Sequence, residues 1–551
     1  MRASAATNGS MARKRKRSPL HPPQTPRAGG RDAAGRGRLL AAACLSALAL
    51  LIVAERIHTA DEPLERDICS HAVIAHEMLA GRSLYSDLWD LKPPGNWLAY
   101  AAAETIFGYG PREVLWLGVS AAVLTLLGVF WTVRHVAAPA AGVAAAAVWA
   151  AACGDLMLWA NQPNSEAFMN AALVWAFALL IGARDEGRDW QRFVGIGALS
   201  FAASLCKTVV PAVVAAWCVA HVLAPPGGRA RRTVAIAQTA IVAATAAAGW
   251  LAVLGYFALT GRGGLFAEML FPTGLAYTSS RGGSILTNAL AAFGPRGLAN
   301  AALSGVWPIA VLFVAAATLG LIFGPRRPWA LVAAYAVGAQ VAVGLPGRFY
   351  HHYFQLLLPA FAVAAGLAWG SVADGGRRSL TSALRVAAVA ALLLVAGKQL
   401  SDYALPADEW SVRKYGSQFL LARHLGERLA ARLRPDEDVY VWGPDPEIYF
   451  YARKSPPSGV IWADDTISGP VGPALMRRTL EALERRTPAV LVINRKDIHP
   501  PPGDALLEWL NRTYVSVAGF SPRDMFAVMG RAGTDSASRL AWITAGLENP
   551  N

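Results

Sequence analysis

About eleven mainly apolar stretches recur along this chain, and arginine stands in every second loop between them. They fall near 39–53, 113–133, 138–154, 166–183, 192–206, 208–224, 233–259, 298–323, 328–345, 351–371 and 380–400. A helix that crosses the hydrocarbon core needs roughly 17 to 25 such residues, so the series predicts an α-helical polytopic membrane protein. The charge content supports this. Only 16% of the 551 residues are charged and 54% are hydrophobic, too apolar a mixture for an ordinary soluble enzyme of this size.

Basic residues in short loops are retained on the cytoplasmic side. With the N-terminus inside, the inner loops carry Arg134, then Arg184, Arg188 and Arg192, then Arg229, Arg231 and Arg232, then Arg326 and Arg327, then Arg377 and Arg378. Merging two spans would invert the later loops and break this ladder. The weakest division is around Lys207 and Pro211, where two short spans compete with one long broken span. Residues 1–37, with RKRKR at 13–17, cannot bury apolar surface and read as a disordered basic cytoplasmic tail. The formal charge of +14 is therefore a topology signal for a plasma-membrane protein, with no nucleic-acid partner. The five cysteines show no metal-ligand spacing. A Cys69–Cys153 bridge is compatible with an outer-face position.

The last 150 residues change character. Strand-like runs at Val439–Trp442, Ala489–Ile493, Tyr514–Val517 and Met525–Met529 alternate with helical stretches at Tyr415–Leu433 and Ala474–Arg485. This predicts a C-terminal α/β domain over 401–533, outside the membrane, followed by a tail at 534–551, after a membrane domain over 38–400. The domain holds no phosphate loop and no nucleophile elbow.

Chemistry is expected where ionisable groups converge at one membrane face, because such groups are costly near lipid unless paired or used. The first outer loop, 56–112, supplies Asp67 at a helix start and Lys92 before Pro93 and Pro94. Each proline fixes its own φ and biases its predecessor toward extended backbone, so the lysine is presented at a set place. The same face receives Asp155, Glu166 in NQPNSEAF, and Arg348, His351, His352 and Tyr353 in GRFYHHYF. Lys207 reads equally as a cavity charge and as a turn marker. Lys92 and Arg348 suit a phosphate leaving group, and Asp67 suits removal of a proton from an attacking hydroxyl. Two carboxylates beside a histidine are also a donor set that a divalent metal ion can use, although no spacing demands one.

ERD at 65–67, AHEMLAGRSLYSDLWD, LKPPG at 91–95, NSE at 164–166 and RFYHHYFQLLLP at 348–359 resemble the C-type glycosyltransferases that use lipid-phosphate sugars. That superfamily includes the dolichyl-phosphate-mannose protein mannosyltransferases and the aminoarabinose transferases, and the resemblance covers roughly residues 40–400. It implies a polyprenyl-phosphate sugar donor, an inverting transfer to a hydroxyl of a glycan, lipid or protein, Asp67 as the catalytic acid–base group and Lys92 at the donor phosphate. Glu166 would be the second acid, with Arg348 and His352 lining the cavity. Ile68 and Leu91 stand where family members often carry acids, so a family metal site does not transfer to them. A flippase for a lipid-linked sugar and an inert assembly partner of the same fold remain alternative readings. Neither internal repeats nor midplane acids of the kind expected in a transporter are evident.

Overall fold

The computed structural model describes residues 28–547 apart from 185–188, 280–282, 304, 324, 371–377, 468–469, 497–504, 520 and 522. Most of the basic tail expected at 1–37 lies outside the described residues, as do Arg188 and Arg377 of the arginine ladder. From α1 (Ala28–His58) the chain enters a pair of loop helices, α2 (Arg66–Leu79) and α3 (Gly95–Phe107). It continues through α4 (Pro111–Arg134), α5 (Pro139–Ala152), α6 (Ser165–Ile181), α7 (Trp190–Ser204), α8 (Val210–Leu223) and α9 (Arg232–Leu259).

Among the described residues four helices are long and apolar enough to cross a membrane: Gly35–His58, Pro111–Arg134, Arg229–Leu259 and His351–Gly370. A fifth is obtained by joining Arg385–Asp402 to Ala407–Tyr415 across a bend of 108°. Four shorter apolar helices of 10–17 residues, among them α5, α6 and α8, accompany them. Length and composition therefore carry four or five spans among the described residues, against the eleven expected. Several apolar stretches form helices too short to span alone by the usual 20-residue measure. α7 and α8 are separate helices, and Lys207 lies in the turn between them. The helices pack on small residues, with Ala141, Ala145, Ala146 and Ala152 of α5 all buried, which lets backbones approach closely.

The C-terminal domain contains a four-stranded sheet ordered β1 (Val439–Trp442), β2 (Val490–Asn494), β4 (Phe526–Arg531), β3 (Tyr514–Ser516). β1 and β2 are parallel, and β4 runs antiparallel to both of its neighbours. All four strands lie within two residues of the runs read from sequence. Helices Gln418–Arg432 and Gly472–Arg485 flank the sheet. Residues 534–547, set apart as a tail by sequence, pack back on this domain. Leu540, Ile543 and Leu547 are buried, and Arg428 donates to the carbonyls of Ile543 and Ala545 at 2.7 and 2.8 Å.

One apolar cluster continues from the α2–α3 loop into this domain, joining Ile68, Tyr85, Trp89 and Trp97 to Leu425, Val441, Ile448 and Val460. The loop that carries Asp67 and Lys92 is thus fixed from above by the domain as well as from below by the helices. All five cysteines are free, so Cys69 and Cys153 are not bridged.

Candidate active site

The site begins with the start of α2. Glu65 is its N-cap, and a carboxylate oxygen of Glu65 accepts from the backbone N–H of Asp67 at 3.2 Å. Asp67 therefore sits in the first turn, where the helix dipole favours negative charge. The α6 N-terminus meets it. Asn164 caps α6 through Ser165 N–H at 2.7 Å, and its amide donates to Glu65 at 3.1 Å and to Asp67 Oδ2 at 3.5 Å.

The Lys-Pro-Pro-Gly turn is fastened from the other side. Gly95 N–H donates to the Leu205 carbonyl at 2.8 Å, and a Cβ at Gly95 would lie 2.6 Å from that backbone. Only glycine lets α3 approach the 205–208 turn so closely. Asn96 extends the contact, donating to Ser165 Oγ at 2.9 Å and to the Cys206 carbonyl at 3.2 Å. The motif thereby brings Lys92, Lys207 and the α6 N-terminus together.

Lys92 Nζ lies 3.2 Å from Asp67 Oδ1 and 3.6 Å from Asp90 Oδ1. Asp90 is almost fully buried, and its other oxygen accepts from Ser70 Oγ at 3.1 Å and from Trp462 Nε1 at 3.0 Å. Asp67 and Lys92 each keep about a quarter of their side-chain surface open, 25% and 24%. They are the accessible edge of an otherwise enclosed charge network. Burial opposes the charge on Asp67, but the adjacent Lys92 ammonium overrides it and holds the carboxyl well below the usual carboxylate range. Burial likewise opposes the charge on Lys92, and Asp67 and Asp90 keep it protonated. Glu65 behaves oppositely: burial, reinforced by the Asp67 charge, pushes it up to about 8. Burial, with the positive charge of Lys92, pulls His71 down to about 3, so it is a neutral imidazole here.

A second ion pair borders the first. Lys207 Nζ is 2.7 Å from Glu166 Oε1 and 3.4 Å from the centre of the Tyr353 ring. His352 stacks beside Tyr350 and meets Tyr353 edge-on, and it is close enough to act electrostatically on Asp67. The Arg348 guanidinium lies 4.6 Å from the Tyr277 ring centre. Tyr277 in turn hydrogen bonds with Tyr353 and faces Lys92 and Asp67.

The structure thus brings Asp67, Lys92, Glu166, Arg348, His352 and Tyr353 into one cluster. It does not bring Asp155 there. That carboxylate is fully buried against Leu158 N–H at 2.8 Å, Gln399 Nε2 at 2.9 Å and Lys398 at 3.7 Å, where it ties the 153–160 turn to the helix Arg378–Asp402. His351 is also turned away, bonded through Nδ1 to the Met157 carbonyl at 2.9 Å and stacked on Trp159. Among the described residues no three of His, Cys, Asp and Glu gather as a metal site. The Lys92 ammonium occupies the position between Asp67 and Asp90 that a cation would share. Sequence reasoning missed Glu65, Asp90, Asn164 and Trp462, which hold the two site residues in place. The ERD, WD and NSE motifs contained the first three, and Trp462, 370 residues from Lys92 in the chain, gave no local signal.

No protein-family model matches the sequence, and no curated protein matches it. Solved structures do. ArnT from Cupriavidus metallidurans bound to undecaprenyl phosphate is similar with a TM-score of 0.55 and 17% identity, over 92% of this chain and 98% of that one. The same protein in the apo state gives 0.54 and 16%, over 92% and 99%. The archaeal oligosaccharyltransferase AglB from Archaeoglobus fulgidus, in complex with an inhibitory peptide and a dolichol-phosphate, lies at 0.46 and 12%, over 83% and 69%, too distant to carry an argument. At these identities the likeness concerns architecture. Nearly the whole chain, the apolar helices and the C-terminal domain together, has the fold seen in ArnT.

Proposed function

We propose that this protein is a membrane glycosyltransferase that moves a sugar from a polyprenyl-phosphate donor to a hydroxyl acceptor at the outer membrane face. The observation that carries this reading is Lys92 held between Asp67 and Asp90 at an accessible edge of the C-type fold. Supporting it are the aromatic rings of Tyr277, Tyr350 and Tyr353 around the basic residues. The arginine ladder supports a cytoplasmic N-terminus, about eleven spans and an extracytoplasmic C-terminal domain.

In the mechanism, the acceptor oxygen attacks the anomeric carbon while its proton passes to Asp67. The bond from that carbon to the phosphate oxygen breaks, and its electron pair leaves with the phosphate, whose charge Lys92 and Arg348 neutralise. The ion pairing makes this sequence self-timed. While Lys92 bonds to Asp67, the carboxylate is a weak base. A donor phosphate competes for the ammonium, and as Lys92 turns to it the Asp67 carboxylate loses its partner and gains basicity. A single displacement inverts the anomeric centre. The test is the product from purified protein and synthetic donors of known anomeric configuration: inversion with release of polyprenyl phosphate is expected, whereas retention would rule out the single displacement.

A further inference from the structure

The outer domain reaches the Lys92 site through one loop, residues 455–466. It is clamped on the α2–α3 connection along its length. Ser455 Oγ donates to Glu77 at 2.5 Å, Arg82 donates to the Pro456 carbonyl at 2.9 Å, and Trp89 N–H donates to the Gly459 carbonyl at 2.8 Å. Gly459 has φ +68°, and a Cβ there would sit 1.7 Å from the Asp87 carbonyl, so the two backbones touch only because this residue is glycine. Three residues on, Trp462 donates to Asp90, and its ring centre lies 5.5 Å from Lys92 Nζ. Asp465 follows in a turn of 3-10 helix. Among the described residues its Oδ2 is buried without a hydrogen-bond partner, and the charges acting on its carboxyl are Asp464, Asp90 and Lys92.

A buried polar oxygen left without a partner is costly and calls for a ligand group. An aromatic ring beside a carboxyl with an unpartnered oxygen is a pairing that can recognise a sugar: the ring stacks on C–H faces and the carboxyl bonds to hydroxyls. Burial, with Asp464 and Asp90 adding to it, keeps the Asp465 carboxyl well above the usual range, so it also has a proton to donate. The position selects the donor sugar over the acceptor. Trp462 and Asp465 lie on the Asp90 side of Lys92, while the proposed base, Asp67, lies on the other. Resting on the donor reading above, we propose that Trp462 and Asp465 bind the sugar of the lipid-linked donor, so that the C-terminal domain selects which sugar is transferred.

The test measures binding of full-length protein in nanodiscs to undecaprenyl phosphate and to undecaprenyl phosphate carrying mannose, glucose, galactose, N-acetylglucosamine or arabinose. Wild type is expected to bind at least one sugar-bearing lipid more tightly than the bare lipid. Asp465→Ala should weaken that lipid by about tenfold, the loss of one or two hydrogen bonds, and leave the bare lipid within about twofold, whereas Trp462→Ala, which also removes the bond to Asp90, should weaken the sugar-bearing lipid more than the bare one. Trp462→Phe, which keeps a ring, should recover most of the Trp462→Ala loss. Equal weakening of bare and sugar-bearing lipids would make these residues props for Lys92 and overturn the proposal. So would a wild type that prefers no sugar. Failure of wild type to bind undecaprenyl phosphate at all would remove the donor reading itself, and this inference with it.

Discussion

At the residue scale the chemistry turns on which partner holds Lys92. With Asp67 paired, its carboxyl stays ionised well into the acid range. A base works only when deprotonated, so kcat/KM of the wild type should not fall through Asp67 between pH 7 and pH 5. In Lys92→Met the carboxyl loses the charge that offset its burial, and its pKa rises. Transfer should drop by about 10²- to 10³-fold, and the residual rate should fall on acidification across that interval. Rate against pH for both proteins checks this. Glu65 gives a second expectation of opposite sign. Its pKa rises from 4.5 to about 8 on folding, so between those values the native state holds a proton that the unfolded state has released. Wild type should therefore lose stability as pH rises across that window. Glu65→Gln, with no proton to hold, should flatten the dependence, measured as Tm at several pH values in one detergent.

At the element scale the site exists because two connections are locked by short backbone contacts. The Gly95–Leu205 contact sets α3 against the α7–α8 turn, and with it the distance between the Lys92 and Lys207 pairs. Gly95→Ala would force a methyl group to within 2.6 Å of a carbonyl that cannot retreat. The expected cost is about 1–3 kcal/mol of stability, with weakened binding of undecaprenyl phosphate, read by thermal melts and by lipid titration. The elements were legible to different degrees. The four strands were readable because valine-rich runs between turn residues announce themselves locally. The helices were readable as apolar runs, but their ends were not, since hydropathy does not say where a helix stops. α5 and α6 end after 14 and 17 residues, although their stretches read as longer.

At the scale of the whole molecule, convergence is the property a sequence expresses least. Asp67, Lys92 and Glu166 could be read as a group because topology assigns their loops to one face. The same logic included Asp155 and His351, whose backbones share the region while their side chains point to Gln399 and to the Met157 carbonyl. Membership of a face does not fix a rotamer. Trp462 was illegible for a deeper reason: its role depends on a domain folding down on a loop 370 residues earlier, along a core that only packing reveals.

If Asp67 takes the proton in a transfer from a lipid-phosphate sugar, removing its charge stops consumption of the donor. The measurement that tests it most directly follows polyprenyl-phosphate sugar pools by mass spectrometry in membranes carrying wild type or Asp67→Asn at equal expression. Wild type should consume one donor and accumulate free polyprenyl phosphate, while Asp67→Asn should leave that donor intact. Equal consumption by both proteins would contradict it.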